Sequence, residues 1–264
     1  MSKAIDRLVD IMKTLRSPGG CPWDIEQNFK TVAPHTLEET YEVVEAIEEG
    51  DFGHLREELG DLLFQIVFHA QMAGEQGLFN LDDVAEGIAA KMVERHPHVF
   101  GDRNVRTADD VLRNWEADKA IKRGQQAAAE QRPHSVLDGV NTALPAMSRA
   151  LKLQQRAARV GFDWEEANHI IEKIHEEADE LKVELEKEII DKDHVEEELG
   201  DLFFVLVNMA RHLKIDPERA LRSTNRKFEK RFRYIETSLA ASGRTMESAS
   251  LDEMEALWQE AKKG

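Results

Sequence analysis

Apolar residues recur at every third or fourth position along most of this chain, which is the period of a helix with one buried face. Ile5, Leu8, Val9, Met12 and Leu15 predict a first helix over residues 4–15, ended by Pro18-Gly19-Gly20. Cys21-Pro22-Trp23-Asp24 reads as a compact loop before a short helix near Glu26–Val32, which Pro34 breaks. Thr36 with Glu39 three residues on matches a capping box, so the next helix should start there and run to about Glu49. Gly50-Asp51-Phe52-Gly53 is a turn. From about Leu55 to Gln76 the pattern changes: Leu62, Leu63, Phe64, Ile66, Val67 and Phe68 are apolar on nearly every side, the mark of a buried helix. A further helix is predicted over Leu81–Glu94, ended by His96-Pro97-His98, and another after Thr107 through Val111, Leu112 and Trp115. Periodicity then fails across residues 118–143, where Gly124, Gln125, Gln126, Gln131 and Pro133 read as a linker. It returns over Pro145–Arg159, Glu165–Ile190, His194–Leu213, Pro217–Ala241 and Leu251–Lys262. Runs of β-branched residues are scarce, so the expected fold class is all-α.

The second set of helices repeats the first. Glu57-Glu58-Leu59-Gly60-Asp61-Leu62 returns letter for letter as Glu197-Glu198-Leu199-Gly200-Asp201-Leu202. Upstream, Glu39 and Glu42 answer to Glu177 and Glu180; downstream, Lys91, Arg95 and Trp115 answer to Lys227, Arg231 and Trp258, always at an offset of about 140 residues. Gly161-Phe162-Asp163-Trp164 answers to Cys21-Pro22-Trp23-Asp24. The expectation is a duplicated helical domain, residues 1–117 and 144–264, joined by 118–143.

The repeated letters carry chemistry. Residues three apart share a helix face, so Glu58 and Asp61 enter an apolar helix side by side, and buried carboxylates need cations. Glu39 and Glu42 are spaced alike, and the residues between Glu42 and Glu58 suffice for a turn into an antiparallel helix. Four carboxylates on two facing helices form an all-oxygen cage suited to Mg²⁺ or Mn²⁺. Glu38, Glu42, Glu45 and Glu49 would by themselves read as a solvated stripe; the duplication favours the metal reading. A cost attends the capping box, because Glu39 cannot both cap a helix and ligate fully. Lys91 with Arg95, and Lys227 with Arg231, place two cations one turn apart, either to neutralise surplus acids or to clamp phosphate. Trp115 and Trp258 suit a core or a base-stacking platform; Trp23 and Trp164 suit packing. Glu172-x-x-His175 matches half of a di-iron carboxylate motif, but Leu37 stands at the corresponding place in the first half. Cys21 has no counterpart, which argues against a thiol nucleophile, and no Walker-type glycine loop occurs. With no covalent nucleophile, direct attack by water is the simplest reaction on a metal-held polyphosphate.

The net charge of -17 argues against wide nucleic-acid or membrane contact, while allowing a small anion held through metal. One cysteine, an amphipathic start and apolar runs about half a membrane span in length predict a cytoplasmic protein without a targeting segment.

Together the E-E-x-x-E, spacer, E-x-x-D pattern and the CPWD and GFDW openings resemble the MazG family of nucleoside triphosphate pyrophosphohydrolases in its two-domain form, over nearly the whole chain. The resemblance implies an all-α bundle, dimeric as a rule, that cleaves nucleoside triphosphates to monophosphate and pyrophosphate with Mg²⁺. By position it implies metal ligation by Glu177, Glu180, Glu198 and Asp201, and in the first half by Glu39, Glu42, Glu58 and Asp61. It likewise implies phosphate binding by Lys227 and Arg231, with Lys173 and Trp258 near the nucleotide. Glu176 and Glu197 are candidates for the general base. The halves differ at Asn208 and Asn225, which face Phe68 and Ala89, so the C-terminal half is expected to carry most turnover. A nucleotide-sensing or protein-binding helical dimer, or an enzyme restricted to non-standard nucleotides, would share these features.

Overall fold

The computed structural model describes residues 3–102, 107–164 and 166–263, and every regular element among them is helical. The contacts divide the chain into two units, Met1–Trp115 and Glu116–Gly264. The first holds α1 (Lys3–Arg16), α2 (Pro22–Glu26), α3 (Phe29–Glu49), α4 (Phe52–Glu75), α5 (Leu81–Arg95) and α6 (Pro97–Phe100). Helix α7 (Ala108–Ala129) begins in the first unit and ends in the second. The second continues with α8 (Ala146–Ala158), α9 (Ala167–Leu185), α10 (Lys192–His212), α11 (Pro217–Ala241), a 3₁₀ turn Met246–Ser248, and α12 (Leu251–Ala261).

Each unit is organised around one antiparallel pair, α3 with α4 and α9 with α10. Gly50 makes the first turn: its φ of 74° lies in the left-handed region, and its N–H returns to the Ala46 carbonyl. Asp51 then caps α4 by accepting from the N–H groups of Gly53 and His54. In the second unit Asp191 caps α10 through the Asp193 N–H. Helix α1 packs on α4, and Met12, Val32, Val67, Phe68 and Met72 form the core between them and α3. Helix α8 packs on α10 in the same way.

Several expectations are corrected. No break occurs at Pro34, and Thr36 starts no helix. Helix α3 runs unbroken from Phe29, capped by Asn28, whose side chain accepts from Lys30 N (3.0 Å) and Thr31 N (3.3 Å), while Thr31 Oγ1 accepts from Asn28 N (2.9 Å). Proline forfeits only the bond to the Lys30 carbonyl, and buried Val32 anchors the turn it interrupts. Thr36 instead bonds His69 across the helix pair at 2.9 Å. Glu39 is thereby relieved of capping. Nor do residues 118–129 form a linker: they are the second half of α7, whose mostly polar faces hide the helical period, with Ala127 buried. The stretch that follows is tied down by Arg156, which donates to the carbonyls of Val136 (3.1 Å) and Asp138 (2.9 Å). Helix α9 stops at Leu185, short of Ile190, and Glu165, its expected start, lies outside the described residues. Finally, α4 and α10 are not buried all round. Leu59 (50% exposed) and Ile66 (40%) on α4 correspond to Leu199 (39%) and Leu206 (45%) on α10, where Phe203 (48%) lies between.

Replacing Asn28 by Ala removes one cap and costs about 1 kcal/mol, whereas Phe68→Ala empties a core position and costs about 3–5 kcal/mol. Urea unfolding measures both, and the reverse order would contradict this account of the first core.

Candidate active site

The antiparallel pairs bring the repeated acids together. In the first unit α3 presents Glu39 and Glu42, and α4 presents Glu58 and Asp61. Carboxylate oxygens of Glu39, Glu58 and Asp61 lie within 4.8 Å of one another, and the charge of Glu42 acts on both Glu39 and Glu58. Desolvation, then the charge of Glu42, pushes the Glu39 carboxyl above its ordinary range. Glu58 is raised by the same two causes in the same order, opposed by His54, whose Nε2 stands 2.8 Å from Glu58 Oε1.

In the second unit Glu177 and Glu180 on α9 and Glu198 on α10 have oxygens within 4.8 Å of one another. Glu177 is buried, at 6% exposure. Desolvation raises the Glu198 carboxyl, followed by the charges of Glu180, Asp201, Glu177 and Glu184. Asp201 therefore acts on the set as a neighbouring charge, one turn along α10. Lys173 reaches in from α9, with Nζ 2.9 Å from Glu176 Oε1 and 3.0 Å from Glu177 Oε1, and these two carboxylates raise its pKa. Glu176, Glu180, Glu184 and Glu198 line an open hollow of about 670 Å³ together with Glu172, His175 and Asp179. A carboxylate set this dense is self-repelling, and only cations make it a place for an anion.

Other expected residues stand apart from the set. Lys227 and Arg231 lie on α11, which packs on α8 and α10. The Arg231 guanidinium sits over the Trp258 ring at 5.5 Å, and Trp258 meets Phe228 at 5.3 Å. The first-unit counterparts are also joined: Trp115 Nε1 donates to the Arg95 carbonyl at 2.6 Å. Lys91, Glu197 and Asn225 are exposed. Asn208 is buried at 5% exposure, and its Oδ1 accepts from Arg211 Nη2 at 3.2 Å, on the side of α10 toward α8.

Two residue types escaped the reading of the sequence. His54 precedes Glu58 by one turn, and His194 precedes Glu198 likewise, so the repeat is longer than the acids alone. The copies are used differently: His194 Nδ1 is 3.6 Å from Asp191 and 4.0 Å from Glu184. Glu184, one turn beyond Glu180, lines the hollow and has Ala46 at the corresponding place in the first half.

Comparison with known proteins bears on this arrangement. The family model described as the MazG nucleotide pyrophosphohydrolase domain matches residues 27–100 and again 165–235. The chain is 49% identical over 260 residues to a nucleoside triphosphate pyrophosphohydrolase of Escherichia coli, covering 98% of this chain and 97% of that one. It is 40% identical over 259 residues to the Thermotoga maritima protein named nucleoside triphosphate pyrophosphohydrolase/pyrophosphatase MazG, covering 98% and 96%. A nucleoside triphosphate pyrophosphohydrolase of Mycobacterium tuberculosis is 40% identical over 162 residues, 60% of this chain and 46% of that one.

The raised Glu198 carboxyl has a consequence for stability. A carboxyl whose pKa is higher folded than unfolded holds its proton more tightly in the folded state. Its stabilising contribution is complete below pH 4.5 and is lost as pH rises through the folded value. In chelator, Glu198→Gln should therefore melt higher than the parent protein at pH 7, with the gap closing by pH 4.5. Thermal unfolding at the two pH values decides; a gap independent of pH contradicts the assignment.

Proposed function

The chain belongs to the MazG nucleotide pyrophosphohydrolase family, and on that premise we propose that it hydrolyses nucleoside triphosphates to monophosphate and pyrophosphate in the carboxylate site of residues 144–264. The observation that carries the reading is the convergence of acids from two helices in both copies of one repeat. The donors fit Mg²⁺, with Mn²⁺ as a substitute: all are carboxylate oxygens, close enough to share one cation, with no sulfur or ring nitrogen in the set. Glu177, Glu180, Glu198 and Asp201 would hold the metal, which supplies charge neutralisation for the phosphates and acidifies the attacking water.

The protein's own groups do the rest. Glu177 and Glu180 are fixed one turn apart on a helix, which presents both carboxylates on one face. Lys173 is the resident cation beside Glu177 and becomes a ligand for phosphate when the acids are neutralised otherwise. Lys227 offers a point charge and Arg231 a planar fork to the polyphosphate, and Trp258 keeps the guanidinium presented through its ring face. Water attacks the phosphorus and its proton passes to a carboxylate, with Glu176 at the hollow and Glu197 as the candidates; the bridging oxygen leaves on pyrophosphate when the α phosphorus is attacked and on the monophosphate when the β phosphorus is. Attack at the α or the β phosphorus yields the same products.

The first half keeps the ligand set Glu39, Glu42, Glu58 and Asp61 but lacks counterparts of Lys173, Asn208 and Glu184, where His35, Phe68 and Ala46 stand instead. It binds nucleotide weakly or regulates. The exposed stripes Leu59 with Ile66, and Leu199, Phe203 and Leu206, are faces for a homodimer.

Glu198→Ala should lower pyrophosphate release in Mg²⁺ by about 100-fold or more, and Glu58→Ala much less; equal losses would sink the asymmetry. Phe203→Glu should lower the mass measured by sedimentation to that of one chain, and an unchanged mass would remove the stripe from the interface.

A further inference from the structure

The segment between α7 and α8 is held by arginines, and its positive charge exceeds the acids that answer it. Asp138 is at its centre. The Asp138 carboxylate accepts from Arg132 Nη1 at 2.8 Å and from Ser135 N at 3.0 Å, with His134 Nδ1 at 3.2 Å. Arg132 first, and then the Ser135 N–H, brings the Asp138 carboxyl down to about 2. From α8, Arg156 Nη1 donates to the carbonyls of Val136 (3.1 Å) and Asp138 (2.9 Å). Gly139 follows with a φ of 73°, and Arg123 of α7 lies against it: a Cβ on this glycine would stand 3.7 Å from Arg123 Cδ. Arg123 and Arg156 therefore meet adjacent residues of one segment from two different helices.

The nearby acids are already taken. Asp138 is engaged by Arg132, and Arg132 also reaches Glu130 at 2.6 Å. Glu116 is held by Arg159 at 2.5 Å and by Lys119 at 3.3 Å. Arg123 Nε is buried with no hydrogen-bond partner, and so is Arg149 Nε, two turns before Arg156 on the same side of α8. Arg156 makes both of its carbonyl bonds through Nη1, which leaves the rest of its fork to other acceptors. Burial first, and then the charge of Arg123, hold the Arg156 guanidinium below its ordinary range; Arg159 acts in the same sense, while Glu116 and Asp138 oppose it. In a chain of net charge -17, two guanidinium groups that repel each other and keep a buried donor unpaired are an anomaly. An anion that completes them would remove it.

The shape of the gap in pairing selects the anion. A carboxylate has two oxygens in one plane and saturates a single guanidinium fork. Two forks on different helices need oxygens on more than one side, which a tetrahedral phosphate group provides. We propose that Arg123 and Arg156 form a binding site for a free inorganic phosphate-class anion, with pyrophosphate as its representative. The anion accepts from Arg123 Nε and from the unused amines of Arg156, and so joins α7 to α8 across residues 136–139. The site uses none of the residues of the carboxylate set on α9 and α10. Its requirement is also the opposite one: carboxylates hold a phosphate only through a cation, and arginines hold it without one. The assignment is independent of turnover, although pyrophosphate is a product of the reaction proposed above.

The test is done on the full-length protein in chelator, where the carboxylate set repels phosphate. Titration calorimetry with sodium pyrophosphate, at ionic strength matched by chloride, should show saturable binding, and thermal unfolding should move upward with pyrophosphate concentration. Arg123→Met should weaken binding by about ten-fold or more. Without the anion it should melt no lower than the parent, because Arg123 has no ion pair to lose. Arg123→Lys retains the charge but not the fork; it should weaken binding less, and it keeps the test open if the methionine variant misfolds by circular dichroism. Lys227→Met should bind pyrophosphate as the parent does. Failure of the parent to bind, or parental affinity in either folded Arg123 variant, overturns the assignment. Loss of binding in Lys227→Met would place the anion at α11 and also overturns it, as does tighter binding of ADP than of pyrophosphate, which would make a nucleotide the occupant. The hydrolytic reading is judged separately, by pyrophosphate release in Mg²⁺.

Discussion

Mutual repulsion among carboxylates is the constraint on which this molecule turns. Helices α9 and α10 are held together by apolar contacts such as Ile170 and Val205, both buried. Yet that packing forces Glu177, Glu180 and Glu198 into one another's reach. Desolvation and neighbouring charge lift the Glu198 carboxyl, and Lys173 relieves part of the strain by reaching Glu176 and Glu177. Stability spent in this way is the usual signature of a site kept for binding. On the proposed function, a polyphosphate brought with a divalent cation would answer it: the cation would satisfy the acids, and the acids would fix the cation.

Duplication allowed the two copies to diverge at equal architecture. Both retain the antiparallel pair, a tryptophan segment before it (Trp23 in α2, Trp164 between α8 and α9), and an arginine tied to that segment. In the first unit Arg16 holds Glu75, with Nη2 2.7 Å from Oε2, and also bonds the Asp24 carbonyl. In the second unit Arg211 holds Asp163. The tie runs from the first helix to the long helix in one copy and back from the long helix to the loop in the other. At the corresponding helix position Asn208 stands in α10 where α4 has Phe68.

The acid pattern was legible because a helix has a fixed period. Glu58 and Asp61, or Glu177 and Glu180, must share a face once the helix exists, and the repeat marks which acids matter. Proline and glycine misled where their effect depended on context. Pro34 reads as a stop, but Asn28 and Thr31 had already capped the helix, and the packing of Val32 outweighed one lost bond. The second half of α7 reads as a linker because its faces are polar, although buried Ala127, and the ion pair of Arg159 with Glu116 just before it, hold the helix in place.

From its order of residues alone the chain settles a helical duplication, two sets of acids, and the family to which they point, since all three follow from spacing along one dimension. Tertiary structure decided what spacing cannot express. It turned α4 and α10 so that one apolar stripe stays exposed, set His54 on Glu58 but His194 on Asp191, and left Arg123 with a buried, unused donor. Those outcomes depend on which side chains of distant segments compete for the same volume, and that competition exists only after the helices have packed.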